Sequence, residues 1–384
     1  MKAPIAILFA NLKGNLGDFA ILHAVLMDVS VRFPGHPMQV FPHPFVPINQ
    51  TDLATFRAAG APEFEVVGPT YSIRYPFYLK WMSRYRIWPH VQSRYVRALV
   101  AKSLQDARRF KDYAAVIVAG GEQWGGTNPG TSMFGTIGAI RAHNDRIYAY
   151  PFSIGPGAVQ SNSKASLAEY FGNIRQPVVV RDISSKKILE DAGINAVWGI
   201  DCVFSLQDVA RDIATLPDRD ASRTLLIITG RRGSNEAPVR SLLTRLKNEV
   251  GPIELLSTSP PEDKELFTRL GAEFGVAVRM PGSWQEALAE LKTSSVIVTN
   301  RLHALILGSF GDAALLPLTD RKKSEAFTRD AGLPYSAPNA EGVSVELINQ
   351  VKADRGVILE KARAYRERSR GELFHPVFDI KGTA

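Results

Sequence analysis

A single cysteine, Cys202, occurs in the 384 residues, so an internal disulfide and a multi-cysteine zinc site are excluded. Long apolar runs are missing as well. No segment approaches the ~18 apolar residues that a membrane-spanning helix needs. The opening MKAPIAILFANLKGNLGD turns to glycine and polar residues too early for the apolar stretch of a secretory signal. There is no short-period repeat, no low-complexity tract and no acidic cluster that demands a metal. Acids are scarce from 71 to 111, where Asp106 stands alone. These absences lead to the expectation of a cytoplasmic protein.

Apolar and charged fractions of 45% and 22% suit a globular chain. The length favours two domains of roughly 150 to 200 residues each. Short runs rich in branched aliphatics recur at PIAILFA, MQVF, FEVVG, AAVIVAGG, RIYAYPFSIG, PVVVRD and NAVWGID, with helical patterns between several of them. After a charged, turn-rich interval the alternation restarts with TLLIITG, PIELLST, VAVRMPG, SVIVTN and AALLPL. Strand, helix, strand order predicts mainly parallel sheets with helices on both faces. The expected fold is α/β, with two doubly wound Rossmann-like domains facing across a cleft. Residues 1–205 form the first and 206–384 the second, joined near 206–222, with polar C-terminal helices packed outside. Ligands are expected in the cleft, where strands end.

Much of the formal net charge of +8 lies in 71–111, where arginine and lysine alternate with aromatics. A solvated helical face explains this, and so does a surface resting on anionic lipid headgroups. A nucleic-acid partner is not expected, because no nucleic-acid module accompanies the patch.

GNLGD places Gly14, Asn15, Gly17 and Asp18 between a strand and a helix. Glycine there lets the backbone approach a ligand, and the helix offers unpaired N–H groups. The G-x-x-G spacing is not the G-x-G-x-x-G dinucleotide fingerprint. Asp18 reads as a cap or first-turn acid, or as an acceptor for a hydroxylated substrate. In AGGEQWGGTNPG, Glu122, Gln123 and Asn128 offer polar groups beside the flat Trp124, a combination that suits a sugar ring or an ordinary long turn. SIGPG at 153–157 is a weaker loop of the same kind.

Three cationic points remain. Arg181 ends PVVVR, with Asp182, Ser184 or Ser185 expected to cap the next helix. Arg301 and His303 interrupt VIVTNRLHALILG between a buried strand and an apolar helix, where ionised groups are rarely left without a partner. Lys322 and Lys323 follow the next strand. Each reads alone as structural. Together they suggest an anion site, since guanidinium suits carboxylate and phosphate oxygens and histidine exchanges a proton near neutral pH.

In order and spacing, GNLGD, AGGEQWGG, SIGPG, VVVRDISSKKILEDAGI, GIDCVFSL, ITGRR, TNRLHALILGSFGDAALLPL and KKSEAFTRDAGLP resemble the polysaccharide pyruvyl transferase family, from about residue 10 to residue 335. R-L-H-A with the apolar helix and strand after it is the most specific part. The resemblance implies a GT-B fold and a phosphoenolpyruvate donor. The enolpyruvyl group would pass to two hydroxyls of one sugar in an exopolysaccharide or surface-glycan precursor, giving a cyclic pyruvate ketal and phosphate. It implies His303 as general acid, Arg301 and Arg181 on the donor's anionic end, and Lys323 assisting. Asn15, Asp18, Glu122 and Trp124 are candidates for acceptor contact, and Asp18, Glu122 and Asp201 for the base.

No cofactor and no metal is expected, because the cations can do the electrostatic work. GGEQWGG departs from the serine-containing glycine run of many members, and 71–111 matches no family motif, so acceptor contacts do not carry over. The expected partners are phosphoenolpyruvate and a saccharide, lipid-linked or polymeric. A lipid-linked acceptor would bring 71–111 to the inner face of the cytoplasmic membrane. Two alternatives stay open. One is a GT-B nucleotide-sugar glycosyltransferase of surface polysaccharide synthesis, against which stands the lack of a ribose-holding acid after a cationic donor loop. The other is an inactive glycan-binding relative, against which stand Arg181, Arg301 and His303.

Overall fold

The computed structural model describes residues 2–12, 14–42, 48–68, 106–121, 129–154, 164–214, 222–229, 236–247, 249–368, 371 and 373–378. Each apolar run quoted above contains a strand. The first seven give β1 (Ile5–Ala10), β2 (Met38–Pro42), β3 (Glu65–Val66), β4 (Ala115–Val118), β5 (Ile147–Ala149), β6 (Val178–Val180) and β7 (Ala196–Trp198). The rest give β8 (Thr224–Ile227), β9 (Ile253–Leu256), β10 (Ala277–Arg279), β11 (Val296–Thr299) and β12 (Ala314–Pro317).

One sheet runs β3-β2-β1-β4-β5 and the other β10-β9-β8-β11-β12, with parallel pairings throughout. β6 and β7 pair separately, and Phe152 bridges Gly121 on one side and Val180 on the other, joining that pair to the first sheet. Helices cover both faces of a parallel sheet, so its central strands can be apolar throughout. β1, β4, β8 and β11 are accordingly buried at every position, while β3 and β10 at the sheet edges are not. In each sheet the strand order reverses at the centre, between β1 and β4 and between β8 and β11. Ligand sites form at such switch points, beyond the carboxyl ends of the strands.

The two halves touch through the helix Leu16–Arg32. Its Leu16 N–H donates to the Thr258 carbonyl at 2.9 Å. About two turns further on, His23 Nδ1 accepts from Trp284 Nε1 at 3.2 Å, with both side chains buried. Gln285 Nε2 adds a bond to the Ala59 carbonyl at 2.7 Å.

The chain end crosses back. On the last helix, Arg355–Arg368, Tyr365 packs edge-on against Phe204 and Phe327, and Arg368 lies 4.4 Å over the Trp198 ring of β7. The Leu373 carbonyl accepts from Ile200 N–H at 2.9 Å, and Phe378 rests 4.8 Å from Tyr148. Residues 373–378 thus pack on the first sheet although their numbers fall in the second expected domain. Of the basic aromatic segment 71–111, residues 71–105 lie outside the described residues. Its remainder forms the short helical turn Ala107–Asp112, with Phe110 buried against Phe41. Among the described residues no helix is long and apolar enough to cross a membrane.

Candidate active site

Each polar residue of the site stands just past a strand. Arg181 follows β6, Ser153 follows β5 and Asp201 follows β7, while Arg301 and Lys323 come after β11 and β12. Parallel order delivers them to the same edge of their sheets. A narrow cleft is lined there by Ser153, Arg181, Asp201 and Lys323, with Phe204, Leu302, Ile306 and Phe327 as its apolar wall.

Arg181 is the anchor. Its Nε donates to Ser153 Oγ at 2.7 Å and its terminal nitrogen to Asp201 Oδ2 at 2.6 Å. Asp201 also accepts from Val203 N–H at 3.0 Å. Burial works against the Asp201 charge, but Arg181, then His303, outweigh it and hold this carboxyl well below the usual carboxylate range. Asp182 caps the next helix, Ile183–Asp191, through Ser185 N–H at 2.8 Å, and the Ser185 hydroxyl in turn takes the Ile154 N–H.

His303 arrives from the other half, in the first turn of Leu302–Gly308. Its Nε2 lies 3.7 Å from Asp201 Oδ2, too far for a hydrogen bond and close enough for attraction of an imidazolium. On its other side is Gly17, where an added Cβ would fall 2.2 Å from His303 Nδ1. Gly14, with φ +54, is under similar pressure: a Cβ there would lie 2.5 Å from Pro261. The glycines of GNLGD therefore permit contact between the two halves. Gly120 permits a close approach within the first half, since its Cβ would stand 2.7 Å from the Pro151 carbonyl.

Asp18, in the first turn after Gly17, faces His303, Lys323 and Arg181 and accepts from Asn11 Nδ2. Burial raises its pKa above the usual carboxylate value, and those basic groups and Asn11 pull it partly back. The cap itself is Asn15, whose Oδ1 accepts from Gly17 N–H at 3.1 Å, which spends on the helix the oxygen expected to meet an acceptor. Arg301 also differs from its expected surroundings. Its NH2 donates to both oxygens of buried Asp263, at 2.7 and 2.8 Å, and Ser257 Oγ donates to the same carboxylate. The protein partner of Arg301 is therefore Asp263, that of His303 is Asp201, and of the two only His303 joins the Arg181 cluster.

Glu122, Gln123, Trp124 and Asn128 lie outside the described residues, as do 155–157 of SIGPG. Ser153 and Asp263 are contacts that sequence reasoning missed. The first was legible only as a residue after a strand, and the second carries no local signal. Among the described residues no group of three or more histidine, cysteine, aspartate or glutamate side chains is placed to hold a metal. Cys202 is buried, and burial pushes its thiol well up, which makes it a poor nucleophile.

Two Rossmann-like units with their strand ends apposed define the GT-B fold, and solved structures agree. UDP-GlcNAc 2-epimerase from Neisseria meningitidis bound to UDP-GlcNAc superposes with a TM-score of 0.55 at 12% identity, over 97% of this chain and 95% of that one. A putative UDP-N-acetylglucosamine 2-epimerase from Listeria monocytogenes gives 0.59 at 11% identity, over 96% and 91%. MurG from Acinetobacter baumannii gives 0.50 at 12%, over 96% and 95%. Such identities establish the fold alone. No curated protein matches the chain. The family profile Polysaccharide pyruvyl transferase matches residues 53–309, well over half of the sequence, and the chain belongs to that family. It is a transferase of the pyruvyl transferase class, and a saccharide acceptor follows from the family.

Proposed function

We propose that the protein transfers the enolpyruvyl group of phosphoenolpyruvate to two hydroxyls of one sugar in a surface-glycan precursor, releasing phosphate. The observation that carries this reading is that Arg181 and Lys323, from opposite halves, line one cleft at strand ends, with His303 3.7 Å from Asp201 of its wall. Arg181 and Lys323 take the phosphate and carboxylate. Arg301 helps through the part of its guanidinium not bonded to Asp263. His303 protonates the methylene carbon, which makes the adjacent carbon electrophilic. A sugar hydroxyl adds there, and a second displaces phosphate. This chemistry asks for no metal or cofactor. Asn15 and Asp18 are assigned to the acceptor, as are Glu122 and Trp124 on the sequence alone.

A lipid-linked acceptor would give the basic residues of 71–111 a headgroup surface to rest on. Failure of anionic liposomes to retain the protein at low salt would remove that part of the reading. The glycosyltransferase alternative has the shared fold behind it, and an inactive glycan-binding relative is opposed by the assembled cations. Incubation with phosphoenolpyruvate and a membrane glycan extract separates the three. Phosphate release that depends on both components supports the pyruvyl transfer. Release of a nucleoside diphosphate from an added nucleotide sugar, without phosphate from phosphoenolpyruvate, would overturn it.

A further inference from the structure

The acids around the cation cluster are not equivalent. Asp201 is taken up by Arg181 and Val203, Asp182 by Ser185, and Asp263 by Arg301 and Ser257. Asp330, at the rim of the same cleft, pairs with Arg329 and has Asp182 and Arg368 as its further charged neighbours. Asp18 stands differently. Asn11 holds its Oδ2, and its Oδ1 has no hydrogen bond among the described residues. It follows directly on Gly17, whose backbone is pressed against the His303 ring, and Lys323 and Arg181 face it from two further elements.

We infer that Asp18, next to the glycine that abuts the His303 ring, is the catalytic base and takes the proton of the attacking sugar hydroxyl. This rests on the pyruvyl-transfer reading. Protonated His303 gives its proton to the methylene carbon, forming the C–H bond. The first hydroxyl oxygen then bonds to the adjacent carbon while its proton passes to Asp18. Cleavage of the C–O bond to phosphate opens that carbon to the second hydroxyl, whose proton restores His303. The proton on Asp18 departs with the leaving group as hydrogenphosphate. One donor and one diol give one ketal and one hydrogenphosphate, with both residues reset.

Burial raises the pKa of Asp18 above the ordinary carboxylate value, which makes its ionised form a stronger base, and Asn11 holds one oxygen so that the other can face substrate. A donor anion bound beside it favours the neutral form further, so binding of phosphoenolpyruvate takes up protons at weakly acidic pH. The test is calorimetry of phosphoenolpyruvate binding in buffers of different ionisation enthalpy, with the parent, Asp18→Asn and, as a control away from the cleft, exposed Asp112→Asn. In Asp18→Asn most of the protein's proton uptake disappears and binding tightens roughly threefold to tenfold, as removal of one nearby charge predicts. Asp112→Asn leaves both unchanged. Uptake and affinity unaltered by Asp18→Asn, or changed as much by Asp112→Asn, overturn the assignment while leaving the donor in place. Absence of binding by the folded parent overturns the functional reading itself.

Discussion

A methyl group at position 17 has nowhere to go except into the His303 imidazole. Gly17→Ala is therefore expected to separate the two halves locally, lowering stability by ~1–3 kcal/mol as overpacking does. Thermal unfolding measures the loss, and phosphoenolpyruvate affinity falls with it. His23 makes a second residue-scale prediction. Burial lowers its pKa from 6.5 to about 4, so the unfolded chain binds the proton more readily between those values. Stability is complete above pH 6.5 and declines as pH falls toward 4, by up to ~3 kcal/mol in total. Denaturant melts at neutral and acid pH should show this slope, and His23→Leu should flatten it. That variant also leaves Trp284 Nε1 buried without its acceptor, at a cost of ~1–3 kcal/mol at neutral pH. Asp263→Ala leaves the Arg301 guanidinium without its carboxylate and is expected to lose ~3–5 kcal/mol in denaturant unfolding. None of these partners was legible from the sequence. The His23 and Trp284 rings belong to different halves of the chain, and only folding brings them together.

Elements were easier to read than contacts. Period and residue type marked every strand, because a doubly covered parallel sheet demands unbroken apolar runs such as IAILFA and VIVT. Helix starts were harder. Asn15 and Asp182 both follow strand-end positions, where the same residue types serve as caps or as ligand contacts. The structure uses both as caps. Asp182→Ala should cost ~0.5–2 kcal/mol, the usual effect of losing a cap. Because Ser185 links that cap to the Ile154 N–H, the loop carrying Ser153 should loosen as well. Hydrogen exchange at Ile154 reads this directly. The R-L-H-A motif was legible as a place and not as a geometry. Arg301 and His303 sit two residues apart at the start of a seven-residue helix, yet one turns to Asp263 and the other to Asp201.

The whole molecule works as two sheets of one strand order whose carboxyl ends meet. The GT-B expectation from repeated strand and helix alternation holds because each half buries a separate parallel sheet. What numbering could not convey is the return of the chain end to the first sheet. Truncation after Gly371 removes the Leu373 bond to Ile200 and uncovers Tyr148 and Phe33. It is expected to lower the thermal midpoint by several degrees, in line with the loss of a few kcal/mol of apolar burial. The apposed sheets also dictate the proposed donor site, since Arg181 and Lys323 come from opposite halves. The most direct measurement is calorimetry of phosphoenolpyruvate with the parent and with Lys323→Ala, at neutral pH and without any acceptor. Saturable binding, weakened roughly tenfold by the loss of one anion contact, is the expected result. A folded parent that ignores phosphoenolpyruvate and binds a nucleotide sugar would contradict it.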